Sequence, residues 1–201
     1  MRAQPGRGAP ASATPLACGS IRLRPVGEGL TGAQWAALHR HARDPDVCDL
    51  NGYPPTPYPA WMFRWLVAAD ARRRDRRIWA ILPAERLESC LGLVELYDLD
   101  PQARRAVLGI VIGEKERWGQ GLGSVAVELV CEFGFSALVL EEIRLSTYAH
   151  NTRARRCFAR AGFIESGRGP GPGGREDVHM RLERARWLDL DSRLPGRARA
   201  S

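Results

Sequence analysis

The chain has 201 residues, a length typical of one domain, with 44% hydrophobic and 26% charged residues. These values exclude an acidic disordered chain, a collagen-like repeat and a disulfide-dense miniprotein. The net charge is +7, but the terminal segments 1–19 and 184–201 hold seven arginines against two aspartates. Most of the excess charge therefore lies outside the predicted domain, and a nucleic-acid partner is not expected.

One domain is predicted at residues 20–183, between a disordered tail at 1–19 and an arginine-rich flexible tail at 184–201. Five widely spaced cysteines without a C-x-x-C pair predict free thiols in a reducing cytosol and no metal site. No apolar run approaches the ~20 residues that a membrane span needs. The sequence therefore predicts a cytoplasmic protein without a membrane partner.

Strands and helices alternate along the predicted domain, judged by their hydrophobic periodicity. In chain order they are a strand at 21–26, helices at 31–41 and 60–73, strands at 77–82, 87–97 and 105–113, a helix at 121–138, a strand at 142–148, a helix at 151–161, and short strands at 163–166 and 177–182. Thr31 and Asn151 are typical N-caps, and Gly162 is a typical C-cap. The proline-rich segment 44–61 predicts no regular structure. The charge run at 71–77 is typical of a solvated face.

The most informative stretch is residues 107–130, where a buried strand runs into a glycine-rich turn that opens a helix. Gly119, Gly121 and Gly123 allow a ligand to approach the backbone closely. Free N–H groups and the helix dipole favour an anion there, so a diphosphate is the natural ligand. The turn lacks the Gly-Lys-Ser/Thr of a Walker loop, and Ala126 replaces the third glycine of a dinucleotide fingerprint. A simple strand-to-helix turn is the alternative.

Two motifs in this chain resemble the GNAT acyl-CoA N-acyltransferase superfamily. The sequence RWGQGLGS looks like its motif A, with Gly121 and Gly123 at the glycine positions and Trp118 where Gln or Arg is usual. The sequence NTRARRCFARAGF, residues 151–163, is similar to a second motif of the superfamily. The tryptophan resembles the pattern of the branch that contains ribosomal-protein alanine/serine N-acetyltransferases and spermidine N-acetyltransferases.

The resemblance implies an α/β (α+β) fold with a mostly antiparallel mixed sheet of six to seven strands, splayed at the middle and flanked by about four helices. It implies acetyl-CoA as co-substrate in the cleft between the splayed strands. The pantetheine would pair there like an added strand, and the diphosphate would lie on the glycine loop. The implied cofactor-binding residues are Val111, Ile112, Gly119, Gln120, Gly121, Leu122, Gly123, Ser124, Asn151 and Phe158. For Asn151, a plain N-cap is the alternative.

Direct transfer of an acetyl group to an amine requires the amine to lose a proton, because only the free base attacks. Many relatives protonate the leaving thiolate from a tyrosine at the position of Phe158, so the usual general acid is absent here. The candidate catalytic residues are therefore Glu95, Ser146 and Tyr148. Glu95 shares strand parity with Leu93, which would turn it toward the cleft. Ordinary polar strand residues are the alternative for all three.

The predicted activity is acetyl transfer to a primary amine, either a protein N-terminus or a small molecule. A polyamine or antibiotic acetyltransferase remains an alternative, as does a catalytically weak or silent acyl-CoA-binding module. Few acidic residues lie in the predicted specificity segments, which argues mildly against a polycation such as spermidine. Dimers are common in the superfamily, so a homodimer is one of the states left open.

Overall fold

The computed structural model describes residues 16–193, which form one sheet and six α-helices. The strands are β1 (Leu16–Cys18), β2 (Ile21–Pro25), β3 (Arg77–Pro83), β4 (Gly92–Asp100), β5 (Arg105–Ile112), β6 (Glu142–Tyr148), β7 (Ile164–Pro170) and β8 (Glu176–Glu183). The helices are α1 (Gly32–His41), α2 (Pro45–Asn51), α3 (Ala60–Asp70), α4 (Leu122–Ser136), α5 (Thr152–Ala161) and α6 (Arg184–Arg193). Among these helices, none is long and apolar enough to cross a bilayer.

The eight strands are ordered β1-β2-β3-β4-β5-β6-β8-β7. Neighbouring strands are antiparallel except for β5 and β6, which are parallel. These two strands pair only between residues 105–107 and 142–144 and then diverge. The predicted mixed, mostly antiparallel sheet that opens at its middle is therefore confirmed.

The described chain has more elements than predicted, with eight strands instead of six to seven and six helices instead of about four. Both β1 and α6 lie in segments predicted as tails. Leu16 of β1 is buried beside β2, and the Trp187 ring of α6 packs 5.4 Å from the ring of Phe135. Short segments are thus ordered through a few apolar contacts with the domain. Residues 1–15 and 194–201 lie outside the described residues.

A second correction concerns α2, because the segment 44–61 was predicted to be irregular. Asp44 Oδ1 accepts a hydrogen bond from the backbone N–H of Asp46 at 3.0 Å, which caps the helix. Pro45 occupies the first turn, where its missing N–H costs nothing. The helix ends at Gly52 in the left-handed conformation, before the prolines begin.

The predicted helix caps are confirmed. The Thr31 hydroxyl accepts from the Gln34 backbone N–H at 3.2 Å, and the Gln34 side chain accepts from the Thr31 N–H at 2.9 Å. This reciprocal pair is a capping box. Asn151 Oδ1 accepts from the Ala154 N–H at 3.1 Å, and Gly162 ends α5 with φ of +104°.

Helices cover both faces of the sheet. On one face, α4 and α5 pack over the main core, which includes Val94 and Leu108. On the other face, α1 and α3 lie over β3 and a smaller cluster around Trp35 and Ala80. Side chains of β4 and β5 therefore alternate between a face covered by α4 and a face turned toward α1 and α3.

Gly113 follows β5 and lies against α1, where a Cβ atom would overlap the ring of His41. His41 is buried, so its ring has little room to move aside. We expect Gly113→Ala to lower the free energy of unfolding by about 1–3 kcal/mol, as overpacking does. The control is Gly32→Ala, where the added Cβ meets nothing within 4 Å. Denaturant unfolding of both variants checks this, and equal loss in the two would contradict it.

Candidate active site

A cavity of about 860 Å³ opens where β5 and β6 diverge. It passes from the glycine loop at the start of α4 to the region between α2, α3 and β4. Nearly all of the predicted site residues line it: Val111, Ile112, Gly119, Gly121, Leu122, Gly123, Ser124, Asn151 and Phe158, with Glu95, Ser146 and Tyr148. Gln120 does not, because its side chain turns back to donate to the Glu116 carbonyl at 3.1 Å.

The backbone of β5 presents alternate residues to the cavity. The Gly113 N–H donates to the Leu91 carbonyl at 2.8 Å, so the odd residues of β5 bond toward β4. A Cβ on Gly92 would overlap the Val111 carbonyl oxygen, which places that carbonyl on the β4 side as well. The even residues Ile110 and Ile112 therefore face the open edge. Val111 contributes its side chain to the cavity, and its backbone points away.

The open edge continues directly into the glycine loop. Trp118 Nε1 donates to the Ile112 carbonyl at 2.8 Å, which ties the loop to the end of β5. The guanidinium of Arg153 in α5 lies over the Trp118 ring, 3.6 Å from its centroid. Burial lowers the pKa of Arg153, but far too little to discharge it at neutral pH. One tryptophan thus joins β5, the loop and α5.

The glycine loop presents backbone to the cavity. Gly119 and Gly121 both have φ of +80°, and a Cβ at either would meet nothing, so the conformation requires glycine there. Gly123 lies against Cys157, whose Sγ would be 3.5 Å from a Cβ. The Ser124 N–H is already bonded to the Gly121 carbonyl at 2.9 Å. The amides before Ser124 are therefore the ones left for an anion.

The side chains of α5 complete the cavity wall. Phe158 is buried, with its ring 6.1 Å from that of Phe163 in an edge-on arrangement. Asn151 uses both ends of its amide within the protein, because Oδ1 caps α5 and Nδ2 donates to the Leu50 carbonyl at 3.4 Å. The N-cap role of Asn151 is thus confirmed, and its amide also holds the end of α2.

Charged side chains of opposite sign lie at opposite ends of the cavity. Beside the glycine loop the charged lining residues are basic: Arg117, Arg153, Arg156 and Arg160. At the other end, Asp70 of α3 and Glu95 of β4 line the cavity together with Arg76. An anion is favoured at the first end and an amine cation at the second.

Glu95 occupies the centre of the acidic end. Its Oε1 would be only 3.1 Å from a Cβ at Gly109, so the missing side chain of Gly109 makes room for the carboxylate over β5. Burial raises the pKa of Glu95 above its usual value, and the charge of Arg76 partly opposes that rise. Burial, with the charges of Cys48 and Glu95, also raises the pKa of Tyr53 to about 12.

The other two catalytic candidates are engaged elsewhere. The Tyr148 hydroxyl donates to the Pro172 carbonyl at 3.3 Å, and the guanidinium of Arg175 lies 5.2 Å from the centroid of its ring. The Ser146 hydroxyl is hydrogen-bonded to Nδ1 of His179 at 2.7 Å. Both residues line the cavity, but the proton of Tyr148 is committed to a backbone carbonyl.

The short helix α2 is tied to three neighbouring segments. The contacts are Lys115 with Asp44 and Asp46 (both 2.8 Å), Arg175 with Asp49 (2.6 Å), and Asn151 with the Leu50 carbonyl (3.4 Å). The two carboxylates raise the pKa of Lys115 above its usual range, chiefly through the hydrogen bond with Asp44. α2 therefore connects the glycine loop to the mouth of the acidic end.

A family model for the acetyltransferase (GNAT) domain matches residues 21–164. The chain belongs to the GNAT acetyltransferase family. The resemblance of its two motifs is thus confirmed, and the family is one that uses acetyl-CoA.

Named relatives come from the spermidine branch. Over 76 residues, the chain is 34% identical to spermidine N(1)-acetyltransferase of Escherichia coli (strain K12), a match covering 38% of this chain and 40% of that enzyme. The chain thus matches less than half the length of this curated relative. The crystal structure of spermidine N-acetyltransferase from Vibrio cholerae, in complex with CoA and spermine, has a TM-score of 0.73 at 19% identity and covers 84% of this chain and 98% of its own.

A second solved structure extends the likeness over the whole chain. It is a protein of T. thermophilus whose acetyltransferase assignment is provisional, with a TM-score of 0.73 at 23% identity, covering 99% of this chain and 100% of its own. At identities below a quarter, both structures show a shared fold.

Sequence reasoning missed the acidic end of the cavity. Arg76 belongs to the charge run that was predicted to be a solvated face, yet its side chain is only 22% exposed and turns inward. Asp70 and Tyr53 line the same end from α3 and the loop after α2. Local sequence gave no signal for these residues, because the pairing of β3 with β4 decides which side of the sheet Arg76 approaches.

Trp118 is expected to support cofactor binding, because it holds both the β5 edge and Arg153. We expect Trp118→Leu to weaken CoA binding about tenfold, through loss of a hydrogen bond and a cation–π contact. Trp118→Phe keeps the ring for Arg153 and should lose less. Calorimetric titration with CoA measures this, with Trp65→Leu, an exposed tryptophan outside the cavity, as control. Unchanged affinity in Trp118→Leu would contradict the assigned role.

Proposed function

We propose that this protein is an acetyl-CoA-dependent N-acetyltransferase that moves an acetyl group directly to a primary amine. One observation carries the proposal. A single cavity joins a glycine loop rimmed by arginines to a chamber that contains a half-buried glutamate. An anionic thioester donor and a cationic amine can therefore meet in it, each at the end that favours its charge.

At the basic end, the diphosphate of the donor would lie on the amides before Ser124, with Arg153 and the neighbouring arginines beside it. The pantetheine would lie along the open edge of β5, where the amides of Ile110 and Ile112 face the cleft. The same amides can stabilise the negative charge that develops on the thioester oxygen. This assignment moves the backbone role predicted for Val111 to Ile110, because of the strand alternation.

At the acidic end, Glu95 would bind the amine and accept its proton. Attack of the free amine on the thioester carbonyl forms a C–N bond and breaks the C–S bond. The amine loses one proton to the carboxylate of Glu95, and the leaving thiolate takes one from solvent. A raised pKa suits this role, because a base with a pKa closer to the working pH transfers protons more effectively.

Two classes of acceptor are compatible with this site. A protein N-terminus and a small-molecule amine both fit a primary amine beside Glu95. Similarity to spermidine N(1)-acetyltransferase favours a polyamine as the second candidate. An acyl-CoA-binding module without catalysis is the alternative that Phe158 keeps open, since no hydroxyl stands at that position.

Thiol release from acetyl-CoA over a panel of amines tests the proposal. The panel contains peptides with free N-termini, polyamines and aminoglycosides, and CoA affinity is measured in parallel by thermal shift. Release that depends on an added amine, with the acetylated product identified by mass, supports the enzyme. Cofactor binding without acetylation of any amine would identify a binding module instead.

Glu95→Gln tests the proposed base. We expect kcat/KM to fall about 100-fold or more, the range that general bases supply. Only the carboxylate accepts a proton, so wild-type activity should fall as the pH drops through the raised pKa of Glu95. The variant should lose that acidic limb and keep its affinity for CoA. Rates across pH 5 to 9, roughly the span of histidine and amine titration, measure this.

Ser146→Ala and Tyr148→Phe are the matched controls for Glu95→Gln. Both residues line the cavity, but their hydroxyls are held by His179 and Pro172. Each variant should lose less than about threefold in kcat, because neither hydroxyl is free to move a proton. A larger loss in either variant than in Glu95→Gln would transfer the catalytic role to that residue.

A further inference from the structure

Within the acidic end of the cavity, an arginine stands between two carboxylates. Nη1 of Arg76 lies 3.0 Å from Asp70 Oδ2 and 3.6 Å from Glu95 Oε2. Its guanidinium also lies over the ring of Tyr97, 5.3 Å from the centroid. Three contacts and a largely covered side chain fix this positive charge inside the chamber.

The charges at this end leave room for one cation. Asp70 has the shorter contact with Arg76, so these two side chains largely neutralise each other. Glu95 is left as the carboxylate that a ligand can pair with, because its contact with Arg76 is longer. The third acidic lining residue, Asp177, lies on β8 with its carboxylate against the backbone of Gly171, away from this chamber. A ligand with several positive charges therefore meets one carboxylate and one guanidinium in the chamber.

We propose that Arg76 is a specificity-determining residue that restricts the acceptor to amines with a single positive charge. The inference rests on the proposed acetyl transfer and names its substrate class. The acceptor is a primary amine with uncharged neighbouring groups, such as the N-terminus of a peptide with neutral side chains, and is not a polyamine. Its ammonium group pairs with Glu95, whereas a second ammonium further along the molecule is repelled by Arg76.

The relatives named for spermidine make this a sharp distinction. Their similarity to this chain covers the fold and a segment of 76 residues, neither of which determines the charge of the acceptor chamber. In this chain the charge follows from where Arg76 points. A purely structural role, in which Arg76 only ties α3 to β4, would affect stability and leave acceptor preference unchanged.

Acceptor preference in Arg76→Met is the decisive measurement. The readout is the ratio of kcat/KM for spermidine to kcat/KM for a peptide with a free N-terminus and neutral side chains, measured by thiol release from acetyl-CoA. Wild type should prefer the peptide. The variant should raise the ratio about tenfold or more, because it removes a like charge from a partly buried site. Any change in the basicity of Glu95 affects both acceptors and cancels in the ratio.

Two matched variants define the origin of the shift. Arg76→Lys keeps the charge and should keep the wild-type ratio. Arg74→Met makes the same change in charge two residues away, at an exposed side chain that does not line the cavity, and should also keep it. A shift in Arg74→Met equal to that in Arg76→Met would attribute the effect to overall charge and overturn the inference.

Asp70→Asn keeps the proposal testable if Arg76→Met does not fold. It leaves the guanidinium without its nearest carboxylate, so KM should rise for both acceptors and more steeply for spermidine. A wild-type preference for spermidine, or an unchanged ratio in the variant that folds, would overturn the inference while acetyl transfer stands. If wild type binds CoA and acetylates neither acceptor nor any other amine, the proposed function itself fails.

Discussion

The early separation of β5 from β6 is the constraint on which the rest of the structure depends. These strands share only three paired residues on each side, so the backbone of β5 beyond residue 107 faces a gap instead of a neighbouring strand. Buried backbone groups need partners, and here one carbonyl is satisfied by the indole of Trp118. The other groups face the cavity. The site is thus a built-in interruption of the sheet, held open because β6 continues to pair with β8 on its far side.

The two ends of that interruption are held in place by different means. At the basic end, glycines with positive φ and the stacked pair of Trp118 and Arg153 shape a surface made mostly of backbone. At the acidic end, side chains from α3, β3 and β4 form the chamber around Arg76. The small helix α2 bridges both ends through ion pairs and a hydrogen bond. A contact at one end can therefore influence the alignment of the other through α2.

Local chemistry in the sequence was sufficient to predict much of the fold. The caps at Thr31 and Asn151, the glycine loop and the buried strand before it each follow from interactions between near neighbours along the chain. The features that were missed depend on distant partners. Leu16 and Trp187 are ordered only by burial against the domain, and α2 was hidden by prolines that begin after it ends. The inward turn of Arg76 requires the register between β3 and β4, which no local pattern encodes.

Lys115 adds a consequence for the chemistry that this molecule is proposed to perform. It is the one lysine among 201 residues, and two aspartates hold its ammonium group protonated. A protonated amine cannot attack a thioester, and the ion pairs also keep this side chain on α2 instead of in the cleft. An acetyltransferase built in this way offers its own donor no reactive side-chain amine. It is protected from labelling itself by the same contacts that fix its glycine loop.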